Sequence, residues 1–257
     1  MRGSRVFLGV AGLVGFGLLL EVVPRIGLVS ERYAPPTSRI LATLAEQAAE
    51  QQFWLAVWDT VRTWLLGLAI AVALGVVVGV LVGTIPILRA ATSSTIEFLR
   101  PIPSVALIPL VVVLYGSTIT STLVLVVYAA FWQVLIQVLH GVADIDPVAR
   151  DTARSYRLGR WDQVRYLVWP TALPYVVTGV RLAATVALIL AITGELVIGS
   201  PGLGQEIATA RSSGAVPAMY ALIVVTGVFG VAANLLTRAA ERRALHWHPA
   251  MRVEVPA

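Results

Sequence analysis

Within DTARSYRLGRWDQVRYLVWPTALP and the residue before it stand Arg150, Arg154, Arg157, Arg160 and Arg165, five arginines in a chain that is only 13% charged. Such a guanidinium cluster can bind nucleic acid, hold a loop on one side of a membrane, or dock onto a partner protein. Asp146 and Pro147 are an N-cap and a first-turn proline in the favoured order. The helix they start places Arg150, Arg154 and Arg157 on one face by i, i+4, i+7 spacing, and Gly159 suits its left-handed stop. A second short helix is expected over Trp161–Val168, ended by Pro170. Topology requires charge alone, whereas a capped helix–turn–helix is what a docking surface requires. The stretch sits against lipid between two apolar runs, which does not suit a nucleic-acid surface.

Other chemistry-bearing groups are few. Glu195 lies near one end of an apolar run, where a carboxylate is a candidate for the transport path, an interfacial residue or a partner of Arg211. Gln133 and Gln137 share a helical face and either line a path or bond between helices. Arg181 can snorkel to the membrane surface, and Asn234 suits an interhelical hydrogen bond. His246 and His248 have no third ligand beside them, so no metal site is expected. The chain has no cysteine, which removes disulfides, zinc–thiolate sites and thiol catalysis. All nineteen basic residues are arginine. With no lysine, the chain cannot supply the Gly-Lys-[Ser/Thr] element that cradles nucleotide phosphates. The chain reads as one without its own ATPase site and not as an enzyme. If ATP drives it, another polypeptide binds the nucleotide.

The elements that position these groups are membrane helices. A hydrophobic content of 58% and a mean hydropathy of +0.83 predict an all-α polytopic membrane protein with about six spans. Candidates are Val6–Val23, Trp54–Gly83, a broken span around Pro101, Pro103 and Pro109, Thr120–His140, Pro174–Ile198 and Pro217–Ala239. The first also has the outline of a signal peptide, but Glu21, Pro24 and Arg25 follow it where small residues would mark cleavage, so it reads as an uncleaved helix. Ser38–Gln52 has the pattern of an amphipathic helix on the membrane surface. Arginine placement puts both termini and the 151–174 loop in the cytoplasm, since an arginine at the bilayer centre costs at least ~2.5–3.5 kcal/mol. Residues 1–53 form an N-terminal helix with an external amphipathic segment, 54–244 a transmembrane domain and 245–257 a cytoplasmic tail. Gly67, Ala71, Gly75, Gly79 and Gly83 recur at i+4 and mark a helix-packing face, within the chain or toward another subunit.

The loop resembles the cytoplasmic loop of binding-protein-dependent ABC importer permeases, whose pattern runs from Glu-Ala-Ala through a glycine to a closing Leu-Pro. Asp151-Thr152-Ala153 stands at the Glu-Ala-Ala position, Pro170 at the closing proline, and Ala172-Leu173-Pro174 repeats it. Arg157 stands where the family has glycine, with Gly159 two residues later, which suggests a first helix half a turn longer; Trp169 replaces the usual leucine. FLRPIPSVALIPLVVVLYG, PGLGQEIATAR and ERRALHW are similar to the aliphatic-sulfonate, taurine and nitrate branch of that family. The resemblance implies coupling helices that carry Asp151, Thr152, Ala153, Arg154, Arg157, Gly159, Trp161, Pro170 and Pro174 into grooves on a cytoplasmic ATPase dimer. It implies Mg-ATP bound by that ATPase and no cofactor here, a second permease copy forming a homodimer, an external solute-binding protein, and membrane lipid as surroundings. A rival of another class, an ion-driven secondary transporter, calls for an inverted repeat and ionisable groups at the bilayer midplane. A membrane-embedded enzyme calls for a paired acid–base or nucleophile constellation. The sequence offers neither.

Overall fold

The computed structural model describes residues 2–246, and helices are the only regular elements among them. Trp247, His248, Arg252 and most of the expected tail lie outside the described residues. Helix α1 (Arg2–Arg25) covers the first expected span, and α2 (Thr37–Ala48) follows. Ile40 of α2 is buried, and Leu44 and Ala48 pack on a small cluster around Phe53, Leu203 and Leu222. Part of the apolar face of this helix is thus covered by protein, while Leu41 stays exposed.

The central helices are α3 (Gln51–Thr84), α6 (Ile119–Ala143) and α9 (Trp169–Ile198). Between the first two lie α4 (Pro86–Leu99), a 3₁₀ turn (Ser104–Leu107) and α5 (Ile108–Tyr115). Ile85, before Pro86, is forced out of the helical region (φ −107°, ψ 104°), so α3 stops there and Pro86 opens α4. After Gly199, α10 (Leu203–Ser212) forms a short helix and α11 (Val216–Ala244) follows.

The glycine stripe of α3 faces a valine ladder on α6. A Cβ on Gly67 would overlap Val126, and Cβ atoms on Gly75, Gly79 and Gly83 would lie 2.7, 2.7 and 2.9 Å from the Cβ atoms of Val134, Val138 and Val142. Only hydrogen fits, so the two backbones approach closely, as association in lipid favours. Both series of numbers rise together, which means that α3 and α6 run parallel. The chain leaving α3 must therefore return to the opposite side of the membrane before α6 begins. Residues 86–118 make that crossing as two pieces, α4 and Ser104–Tyr115, set at 85° to each other. The expected third span is thus a bent pair. Pro101 and Pro103 explain the break, since neither donates a backbone hydrogen bond and each pushes its predecessor toward extended geometry.

α9 packs antiparallel on α6, with Gly141 against Ala172 and Tyr175, Gly179 against Gln137, and Gly194 against Thr122. Among the described residues α3, α6, α11 and the unbroken helix Arg160–Ile198 are long and apolar enough to cross a membrane, and the bent pair makes a fifth where its two pieces are counted as one span. The main core fills the seam of α3, α6 and α9 with Ala71, Val126, Ala130, Val134, Val138, Ala183, Ala187 and Ala191.

Candidate functional site

The basic loop is a built structure. Asp146 accepts a hydrogen bond from the Val148 N–H at 2.7 Å and starts α7 (Pro147–Ser155). Ala153 is buried beneath that helix, while Asp151, Thr152 and Arg154 face outward, with Arg154 3.3 Å from Asp151. The stop is not at Gly159. Arg157 holds the left-handed conformation at φ 50°, and its N–H donates to Arg154 O at 2.9 Å while the Leu158 N–H donates to Ala153 O at 3.0 Å. These two bonds define a Schellman stop with Arg157 as its left-handed residue. The helix therefore ends where the family pattern has its glycine, and the expected half-turn extension is absent. Arg157 also leaves the helical face expected to hold it with Arg150 and Arg154.

Gly159 (φ −59°, ψ 160°) instead precedes a second helix, α8 (Arg160–Gln163), and the Gln163 side chain donates to Leu158 O at 2.9 Å. This helix does not end at Pro170. A π turn (Val164–Val168) follows, in which the Trp169 N–H donates to Val164 O, and the chain continues into α9 with Pro170 in its first turn and Pro174 inside it. A proline cannot donate to the carbonyl four residues back and its ring collides with that carbonyl. The wider π turn absorbs both defects and keeps the helix continuous.

Trp161 projects from the loop at 74% exposure, and Val148 (72%), Tyr156 (79%) and Tyr166 (64%) are exposed on the same loop. The Arg165 guanidinium lies 5.4 Å from the Tyr166 ring centre, a cation–π distance. The sequence marked Trp161; Val148, Tyr156 and Tyr166 were legible only as residues between arginines. Beneath them the loop is fixed: Tyr175 donates to Asp144 at 2.7 Å, and Val142, Ile145 and Val168 enter the main core. The surface is basic and rich in large apolar groups, the composition of a protein-docking site.

Glu195 sits at the opposite end of α9 with no exposure. Its Oε2 accepts from Thr60 Oγ1 at 2.8 Å and from the Gly204 N–H at 3.0 Å. It makes no ion pair with Arg211. Arg181 pairs with Glu241 of α11 at 3.1 Å, a partner the sequence did not suggest. Gln137 packs against Gly179 in the α6–α9 seam, and Gln133, one turn away, is half-buried. Asn234, expected to bond between helices, lines an open groove of about 630 Å³ between α9 and α11 with Thr185, Thr226 and Thr237. No group of three metal-ligating side chains occurs among the described residues.

Residues 71–246 match the profile of the family described as "Binding-protein-dependent transport system inner membrane component". The chain is 30% identical to the taurine transport system permease protein TauC of Escherichia coli (strain K12) over 231 residues, 88% of this chain and 84% of that one. It is 29% identical to SsuC of the same organism, named for aliphatic sulfonates transport, over 92% of this chain and 90% of that one. Its fold is similar to that of a chain in the inward-facing MetNI methionine ABC transporter, with a TM-score of 0.65, 20% identity, and coverage of 76% of this chain and 98% of that one.

Proposed function

Since the chain belongs to the binding-protein-dependent transport system inner membrane components and is the permease subunit of an ABC importer, we propose that it is a lever driven through the Asp146–Pro174 loop. The family works with an ATPase and a solute-binding protein, in the inner membrane. The observation that carries the lever reading is the loop itself: a capped, core-anchored surface exposing Val148, Tyr156, Trp161, Tyr166 and five arginines. Large apolar side chains exposed beyond the span cores are costly in water unless something covers them. An ATPase dimer that binds Mg-ATP is the fitting cover, because this chain has no lysine for a phosphate-binding loop of its own.

In this reading both termini face the cytoplasm and 54–244 is the membrane domain. Nucleotide-driven closure of the ATPases pushes α7 and α8. The continuous helix Arg160–Ile198 carries the push across the bilayer, and two permease copies switch the solute path from outside to inside. The similarity to TauC and SsuC supports a small sulfonate such as taurine as the solute, handed over by the external binding protein.

Reconstitution with the cognate ATPase and binding protein, followed by taurine uptake into proteoliposomes, tests the reading. Uptake should require both partners and ATP. Trp161→Ala and Tyr156→Ala should each weaken ATPase association by roughly tenfold or more, as central aromatic anchors do. Accumulation by this chain alone would sink the proposal.

A further inference from the structure

Helix α10 has no capping side chain of its own, because Gly202 stands at its N-cap position. Its first N–H groups are satisfied from elsewhere. The Gly204 N–H donates to Glu195 Oε2 of α9 at 3.0 Å, and the Leu203 N–H donates to Thr60 Oγ1 of α3 at 2.9 Å. Thr60 in turn donates to Glu195 at 2.8 Å. One carboxylate oxygen and one hydroxyl, from two spans, thus fill the place of an N-cap. A third span joins through Thr122 of α6, whose hydroxyl lies 2.6 Å from that of Ser200.

The cradle is built around the carboxyl group. A Cβ on Gly202 would overlap the Glu195 carboxyl carbon, and one on Gly204 would overlap Ile192 O. Gly202 also holds φ 149°, ψ −179°, a conformation open essentially to glycine alone. Leu203 is fully buried, and it packs with Ile207, Phe53 and Ala56. A buried carboxylate is a costly way to hold a loop, and no arginine within ion-pair distance offsets that cost among the described residues.

Its place on the molecule explains why such a group is used. The hairpin 199–214 lies at the end of α9 opposite the basic loop, on the face where an external binding protein would meet the permease. Glu195 is four residues from Gly199, at the far end of the unbroken helix that starts at Arg160. We propose that Glu195 is a positioning residue that clips this hairpin to α3 and α9 as one moving body, so that binding-protein contact outside and the ATPase stroke inside are exchanged through it. The proposal rests on the importer reading above.

The test uses the full complex with its binding protein and compares native chain, Glu195→Gln and Glu195→Ala. Two quantities are read: hydrogen exchange at the Leu203 and Gly204 amides, and the ratio of binding-protein-stimulated to basal ATPase rate. Glutamine keeps a carbonyl acceptor and should stay within about threefold of native in both. Alanine should raise exchange tenfold or more and bring the stimulation ratio close to one, with the basal rate kept. If alanine prevents assembly, Thr60→Val removes the hydroxyl link and is read the same way. Unchanged exchange in alanine or valine overturns the clip. Faster exchange with full stimulation leaves a structural contact only and overturns the coupling role, as does glutamine behaving like alanine. A native complex that the binding protein does not stimulate fells the importer reading, and the coupling role falls with it, whereas the exchange data then still decide the clip.

Discussion

Glycine at position 157 should stabilise the helix stop more than alanine does. An L-residue in the left-handed region costs roughly 1–2 kcal/mol through its Cβ, and Arg157 stands there at φ 50°. Glycine removes that cost but gives back roughly 0.5–1 kcal/mol through the extra freedom of the unfolded loop. Arg157→Gly should therefore be about 0.5–1 kcal/mol more stable locally than Arg157→Ala, which loses the same charge but keeps the Cβ. That difference is about two- to fivefold in an opening equilibrium. Hydrogen exchange at the Leu158 amide, bonded to Ala153 O, reads it directly once intrinsic rates are corrected. Gly159→Ala is the control, because φ −59° suits any residue and its Cβ would meet only Asp162 Oδ2 at 3.4 Å. It should exchange no faster than native. Faster exchange in Arg157→Gly than in Arg157→Ala, or marked loosening by Gly159→Ala, would refute the assignment of the helix stop to Arg157.

Two other substitutions probe the frame. Gly75→Ala drives a methyl group against Val134, whose Cβ would be 2.7 Å away, and should destabilise by about 1–3 kcal/mol; Val134→Ala in the same chain should recover part of the loss in a thermal-unfolding assay. Glu241→Gln breaks the pair with Arg181, whose side chain is 43% exposed and long enough to snorkel to the membrane surface, so the melting temperature should shift by the equivalent of no more than ~1 kcal/mol.

The long apolar runs were legible because bilayer thickness imposes a length on any helix that crosses it. The glycine stripe was legible as a packing face, but its partner was not, since a repeat of small residues does not say which ladder fills it. Val126, Val134, Val138 and Val142 do so, and their own i+4 recurrence was the available signal. The helix stop was misplaced because glycine is the usual left-handed residue, and its presence at 159 outweighed an arginine at 157. Pro170 was misread for a similar reason: the rule that proline ends a helix assumes i→i−4 bonding, and a π turn changes that premise. The partners of Glu195 and Arg181 were invisible, because Thr60 and Glu241 lie 135 and 60 residues away along the chain.

The π turn has a mechanical consequence that can be tested. Residues Arg160–Ile198 form one helix of 39 residues, and Val164–Val168 take up one residue more than an α-turn would. At 3.6 residues per turn, that extra residue rotates everything before it by about 100° relative to α9. Trp161 and Arg160 are aimed by this offset. Pro170→Ala restores an N–H that can donate to Tyr166 O and removes the ring that obstructs it. The variant helix should relax to regular α geometry, with unfolding temperature unchanged or raised, since interior proline costs a helix about 3 kcal/mol. The same relaxation turns Trp161 away from its present direction on the exposed loop. ATPase association should then fall about as far as in Trp161→Ala, although every exposed side chain is intact. A Pro170→Ala chain that melts no lower and still binds its ATPase with native affinity would show that the π turn does not set the aim of the docking surface.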